Sequence, residues 1–171
     1  MIITPVENID GLFTVENVYD LDILESFLQE DVSASDSKSL EMQERFVLRK
    51  NIESFPSNSK WNSLFASIDQ SGINELGYRV SSSALWIDSV GHEMDEHADN
   101  PGVIGAMQVY LKDGPSSSGT TFFSLEGDFS YIIPFKKNCG YLMINKQQRH
   151  GLLSPITEER WSTYNWLAKL G

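Results

Sequence analysis

Only three histidines occur in this 171-residue sequence, His92, His97 and His150, and one stands in a pattern that can bind a metal. His97-Ala98-Asp99 places an imidazole and a carboxylate two residues apart. On a strand, side chains at i and i+2 share a face, with Cα atoms about 6.5–7 Å apart, so both groups can lean onto one ion. A third ligand must come from elsewhere in the chain, and His150 falls on a predicted neighbouring strand. Two histidines and one carboxylate on one face of an octahedral ion leave three positions open, an arrangement suited to iron(II) oxygen chemistry. The pair alone is a weak signal, because a surface His-x-Asp has the same spacing. Asp95 also lies two residues from His97 and would share its face, and His92 and Glu93 stand nearby as further alternatives.

Ten residues after His150 comes Arg160-Trp161-Ser162. On a strand Arg160 and Ser162 face the same way, so a planar guanidinium fork and a hydroxyl could together hold a carboxylate. Ser154-Pro155-Ile156-Thr157-Glu158-Glu159 can form the turn that sets the two strands antiparallel, which puts Arg160 deeper in a barrel than a metal at His150. The bland alternative is a surface Arg160 paired with Glu158 or Glu159.

The elements that must position these residues change character near Leu76. Residues 1–76 carry mostly helical signals. Asp20 can cap a helix in which Leu21, Leu24, Phe27 and Leu28 share a face. Ser39 can cap a second, from Leu40 towards Ile52. Trp61, Leu64, Phe65 and Ile68, spaced i, i+3, i+4, i+7 behind Ser59, form a third. The Ser- and Asp-rich segment Gln29 to Ser39 is either a solvated connection or a lid. From residue 77 to 171, short strands are predicted at Tyr78–Ile87, His97–Asp99, Ala106–Leu111, Thr120–Phe123, Phe129–Ile133, Tyr141–Ile144, His150–Leu153 and Arg160–Trp166, separated by Gly, Pro, Ser and Asn clusters. About eight short strands point to a mainly β (α+β) jelly roll or sandwich, with the N-terminal helices packed on the outer face of one sheet. No internal repeat is seen, and one domain over 1–171 is expected.

Composition is ordinary for a globular chain, with 40% hydrophobic and 22% charged residues. No apolar run approaches the roughly 20 residues of a membrane-spanning helix. The N-terminus lacks a basic lead, and the single cysteine, Cys139, excludes an intrachain disulfide, so a cytoplasmic setting is expected. A formal net charge of −11 repels phosphate backbones and makes nucleic acid an unfavoured partner.

Taken in order, the segments resemble the 2-oxoglutarate- and iron(II)-dependent oxygenases, particularly the prolyl hydroxylase-like branch. The resemblance runs from about Gly91 to Trp166. His97-Ala98-Asp99-Asn100-Pro101 is similar to the proximal motif, and Val109-Tyr110-Leu111-Lys112-Asp113 to the Tyr-Leu-Asn segment. Ser118-Gly119-Thr120-Thr121-Phe122-Phe123 stands where Gly-Gly-x-Thr-x-Phe often does. Lys136 to Ile144 resembles the strand leading to the distal histidine, and His150 with Arg160-x-Ser162 completes the pattern.

That resemblance implies a double-stranded β-helix, with His97, Asp99 and His150 as iron ligands in preference to Asp95 or His92. It implies Arg160 as partner of the distal carboxylate of 2-oxoglutarate, helped by Ser162 and Tyr110, the latter also readable as a core aromatic. The reaction implied is hydroxylation with O2 as cosubstrate, release of succinate and CO2, and ascorbate as a supporting reductant. The substrate would be a peptidyl proline, another protein side chain or a small molecule, with Trp86, Met94 and Phe123 as candidate walls. Three positions depart from the family. An upstream tyrosine is replaced in the region of Trp86 and Ile87, the first glycine is Ser118, and the Asn after Tyr-Leu is Lys112. Rival readings are a cupin-type metal-binding jelly roll with different chemistry and a non-catalytic binding module on the same scaffold.

Overall fold

A computed structural model describes residues 1–29, 38–39, 49–52, 60–145 and 147–171. The chain opens with an antiparallel hairpin, β1 (Ile2–Pro5) and β2 (Leu12–Glu16), turned at residues with positive φ, Asn8 and Gly11. This hairpin was not expected among the helical signals, although its β-branched runs and Asn/Gly turn carry a strand signature. Helix α1 (Leu21–Leu28) starts where predicted, with Asp20 Oδ1 accepting from the backbone N–H groups of Asp22 and Ile23. Leu24 and Phe27 are buried, while Leu21 is exposed. Helix α2 (Lys60–Ala66) buries Trp61 and Leu64, and a short α3 (Ser71–Glu75) follows. The proposed cap Ser59 lies outside the described residues.

The second predicted helix is not what its described ends form. Residues 40–48 are outside the described set, but Lys38–Ser39 is strand β3 and Arg49–Ile52 is strand β4, paired antiparallel with β5 (Tyr78–Asp88). An open strand edge offers a row of backbone partners, and that tertiary pairing overrides a local helical pattern. Most of the loop-or-lid segment, 30–37, also lies outside the described residues.

The remaining strands are β6 (Met94–Ala98), β7 (Ala106–Tyr110), β8 (Thr121–Phe123), β9 (Ser130–Ile132), β10 (Cys139–Met143), β11 (Arg149–Leu152) and β12 (Arg160–Lys169). All eight predicted strands are present, with ends shifted by a few residues. They form two antiparallel sheets, one in the order β1-β2-β10-β7-β12-β5-β4-β3 and a smaller one in the order β6-β11-β8-β9.

Alternation along β12 shows how the layers are assigned. Trp161 and Leu167 pack with the helical layer beside Leu24, Phe27, Leu64 and Ile73. Thr163 faces the same way, its Oγ1 2.7 Å from Tyr19 Oη. Tyr164, on the opposite face, joins Tyr110, Phe122, Phe135 and Tyr141 between the two sheets. Each fully buried large apolar side chain contributes roughly 1.5–3 kcal/mol, so both clusters hold the large sheet as the middle layer. The helices thus cover its outer face, as expected, and its inner face with the small sheet encloses the candidate site.

Candidate functional site

The strand register brings the two histidines together. His97 on β6 and His150 on β11 are direct cross-strand partners, so their rings lie on one face, centroids 4.6 Å apart and tilted by 51°. A bulge in the same pairing, between His150 and Leu152, adjusts the strands beside the site, as bulges often do. Phe122 of β8 is the partner of His150 on its other side, and the two rings stack with centroids 5.2 Å apart. Asp99 follows β6 by one residue, and its Oδ1 lies 3.7 Å from His150 Nε2. One ligand atom from each of His97, Asp99 and His150 falls within 4.8 Å of the others.

The surroundings of these three groups suit metal binding. His97 Nδ1 donates to the backbone carbonyl of Asp95 at 2.8 Å, and His150 Nδ1 to that of Gln148 at 3.2 Å. A proton fixed on Nδ1 leaves Nε2 as the lone-pair ligand. Tyr164 Oη donates to Asp99 Oδ2 at 2.9 Å, which leaves Oδ1 turned towards His150. Burial, with the neighbouring His97, holds the His150 imidazole below its ordinary pKa despite the opposing pull of Asp99 and the Gln148 carbonyl. The neutral ring is the form a metal requires. The donor set therefore fits a divalent ion of the iron type. Asp95 supplies His97 with a backbone carbonyl, and His92 stands apart, its Nε2 3.8 Å from Asp88 Oδ1.

These residues line a cavity of about 510 Å³. Trp86 and Met94 line it, whereas Phe123 is not among the lining residues. Trp86 stacks on Tyr164 with ring centroids 4.1 Å apart. At the far end lies Arg160, 1% exposed, four residues before Tyr164 on the same strand face. That spacing separates their Cα atoms by roughly 13 Å.

Arg160 thus points inward, and its acidic partner is neither Glu158 nor Glu159. Its Nε and Nη2 donate to Asp88 Oδ2 at 2.9 and 2.7 Å, and Nη1 donates to the Ser118 carbonyl at 3.0 Å. Arg160 and Asp88 are register partners on β12 and β5. Burial works against the guanidinium charge, but Asp88 outweighs it and holds the Arg160 pKa above its ordinary value. Three of five guanidinium N–H groups are engaged, which leaves two for a ligand.

Ser162 and Tyr110 sit one layer behind the cavity lining. Ser162 Oγ accepts from Gln108 Nε2 at 2.9 Å, and Tyr110 Oη bonds Thr120 through both its Oγ1 and its backbone N–H. Gln108, Thr120 and Tyr141 belong to the lining instead. Burial pushes the Tyr141 phenol well above its usual pKa, so it stays neutral. The sequence reading missed Asp88, Gln108, Tyr141 and Tyr164. Strand alternation put Tyr164 on the face of Arg160 and Ser162, but which strand opposes β12 is a tertiary fact.

No protein-family model matches the sequence, and no curated protein matches it. The structure is nevertheless similar to many solved ones. A prolyl hydroxylase from Trichoplax adhaerens, in complex with a hypoxia inducible factor peptide fragment, aligns with a TM-score of 0.71 at 14% identity, over 95% of this chain and 85% of that one. A Pseudomonas putida prolyl-4-hydroxylase aligns with a TM-score of 0.64 at 14% identity, over 94% of each chain. HygX from Streptomyces hygroscopicus, with nickel, 2-oxoglutarate and hygromycin B bound, gives 0.67 at 13% identity, over 93% of this chain and 83% of that one. At such identities the likeness establishes the fold, which is the double-stranded β-helix of 2-oxoglutarate/Fe(II) oxygenases.

Proposed function

We propose that the chain is a 2-oxoglutarate- and iron(II)-dependent dioxygenase that hydroxylates a peptide or small-molecule substrate, with one catalytic domain spanning 1–171. The observation that carries this reading is the meeting of His97, Asp99 and His150 on one cavity wall, with Arg160 buried at the far end of the same cavity. In this reading the two histidines and Asp99 hold the metal, and Arg160 binds the distal end of the 2-oxo acid. Ser162 supports it by orienting Gln108, and Tyr110 by orienting Thr120. When bound, iron(II) with 2-oxoglutarate and O2 supplies the oxidising power, and succinate and CO2 leave.

The protein contributes orientation and exclusion of water. The backbone carbonyls of Asp95 and Gln148 keep both imidazoles in the tautomer that presents Nε2. Tyr164 fixes the rotation of Asp99, and its stack on Trp86 gives a flat apolar wall beside the metal ligands on which a substrate can rest. No helix among the described residues is long and apolar enough to cross a membrane. That fact and the lone Cys139 support a cytoplasmic enzyme, and the net charge of −11 disfavours nucleic acid as substrate.

Succinate release by the full chain with iron(II), ascorbate and 2-oxoglutarate, measured across a panel of peptides and metabolites, tests the proposal. At least one substrate should gain one oxygen atom by mass spectrometry, and His97→Ala should lose both iron and turnover. Full turnover in His97→Ala would refute the ligand assignment.

A further inference from the structure

We propose that Tyr141, rather than Tyr110, supplies the phenol donor that binds the 2-oxo acid in the cavity. This rests on the oxygenase reading above and adds a binding residue to it.

Alternation along β10 turns Leu142 to the helical layer, and Tyr141 and Met143 to the space between the sheets. Register sets Tyr141 opposite Gln108 of β7, and Gln108 opposite Tyr164 of β12, so the three share one row on the inner face. Tyr141 and Tyr164 are therefore two strands apart, with about 10 Å between their Cα atoms. The rings of Phe122 and Tyr141 meet edge to face with centroids 4.7 Å apart, and Phe122 in turn stacks on His150. That packing fixes the direction of the Tyr141 ring.

Four tyrosines are buried among the described residues. The hydroxyls of Tyr19, Tyr110 and Tyr164 bond Thr163, Thr120 and Asp99. That of Tyr141 meets no protein partner, although the residue is only 2% exposed. Buried hydroxyls are ordinarily hydrogen-bonded. This one is not sealed in protein but opens onto the cavity that Tyr141 lines, so a ligand can supply the missing partner. Tyr110, by contrast, already spends its oxygen on the Thr120 hydroxyl and N–H.

The ligand in reach is the 2-oxo acid. The Tyr141 phenol interacts electrostatically with both Asp99 and Arg160, which mark the two ends of the path from the metal to the anchor. Its depth also separates it from the half-buried Trp86, on which a substrate can rest. Burial keeps the phenol protonated, so it meets an oxygen of the 2-oxo acid as a donor.

Tyr141→Phe, which keeps the ring against Phe122, tests this in the full chain loaded anaerobically with iron(II). The probe is 2-oxoglutarate with no substrate present, read by the visible charge-transfer band and independently by calorimetry. Its dissociation constant should rise at least about tenfold, the effect of losing one hydrogen bond to a charged group. The Tm of the metal-free variant should not fall by the roughly 2–4 °C that one lost structural hydrogen bond produces, because no protein group uses the hydroxyl. A smaller rise in the dissociation constant, or a fall in Tm of that size, overturns the inference. Wild-type protein that binds 2-oxoglutarate no better than the variant defeats the Tyr141 assignment and leaves the oxygenase reading intact. Wild-type protein that holds iron without binding 2-oxoglutarate defeats both.

Discussion

The hydroxyl of Tyr164 decides which oxygen of Asp99 faces the histidines, because it occupies Oδ2 at 2.9 Å. Tyr164→Phe keeps the ring against Trp86 and removes that bond. Its iron(II) affinity should fall about 10–100-fold, measured by competition with a chelator, with an unchanged far-UV spectrum. An unaltered affinity would mean that Asp99 needs no such restraint. In the proposed function Arg160 carries two roles at once, since it also pairs with a fully buried Asp88. Arg160→Met should therefore abolish 2-oxoglutarate binding and also destabilise the fold by about 3–5 kcal/mol, because buried Asp88 loses the guanidinium that pairs with it. Adding Asp88→Asn should recover most of that stability in denaturant titrations while binding stays lost. A double variant no more stable than the single one would show that the pair is not what the mutation breaks.

Among the elements, the segment Ser116–Thr120 matters most beyond the strands, because its Ser118 carbonyl holds Arg160. It passes so close to the strand end at Ile133 that a Cβ on Gly119 would lie 1.8 Å from the Ile133 carbonyl oxygen. Only a residue without a side chain fits there, for want of space, since its φ of −78° suits any residue. Gly119→Ala should cost about 1–3 kcal/mol in chemical denaturation and weaken 2-oxo acid binding, as the backbone shifts away from Arg160. The departure at Ser118 from the family pattern is accommodated, because that residue acts through its carbonyl.

For the whole molecule, the two hydrophobic clusters on either side of the large sheet are built without His97, Asp99, His150 or Arg160. Folding therefore does not wait for the metal. Protein stripped by a chelator should keep its far-UV spectrum, and anaerobic iron(II) at about a hundred times its dissociation constant should raise Tm by roughly 5–10 °C. Loss of the fold on metal removal would contradict a preformed site. The order and number of the late strands were legible because period-two alternation and turn residues are local signals. The β1–β2 hairpin carries the same signals in its β-branched runs and Asn/Gly turn. The Arg49–Ile52 strand could not be read, because it exists by virtue of the β5 edge it pairs with.

The sequence by itself determined a jelly roll with an outer helical layer, and it pointed to His97, Asp99, His150 and Arg160 through spacing on strands and a family-like order of motifs. Tertiary structure alone decided the rest. It paired His97 with His150 across two strands, turned Arg160 inward onto Asp88, set Tyr164 on Asp99, and left Ser162 and Tyr110 behind the lining. The reason is physical. Alternation along a strand says which residues share a face, but only sheet order and register say what that face meets.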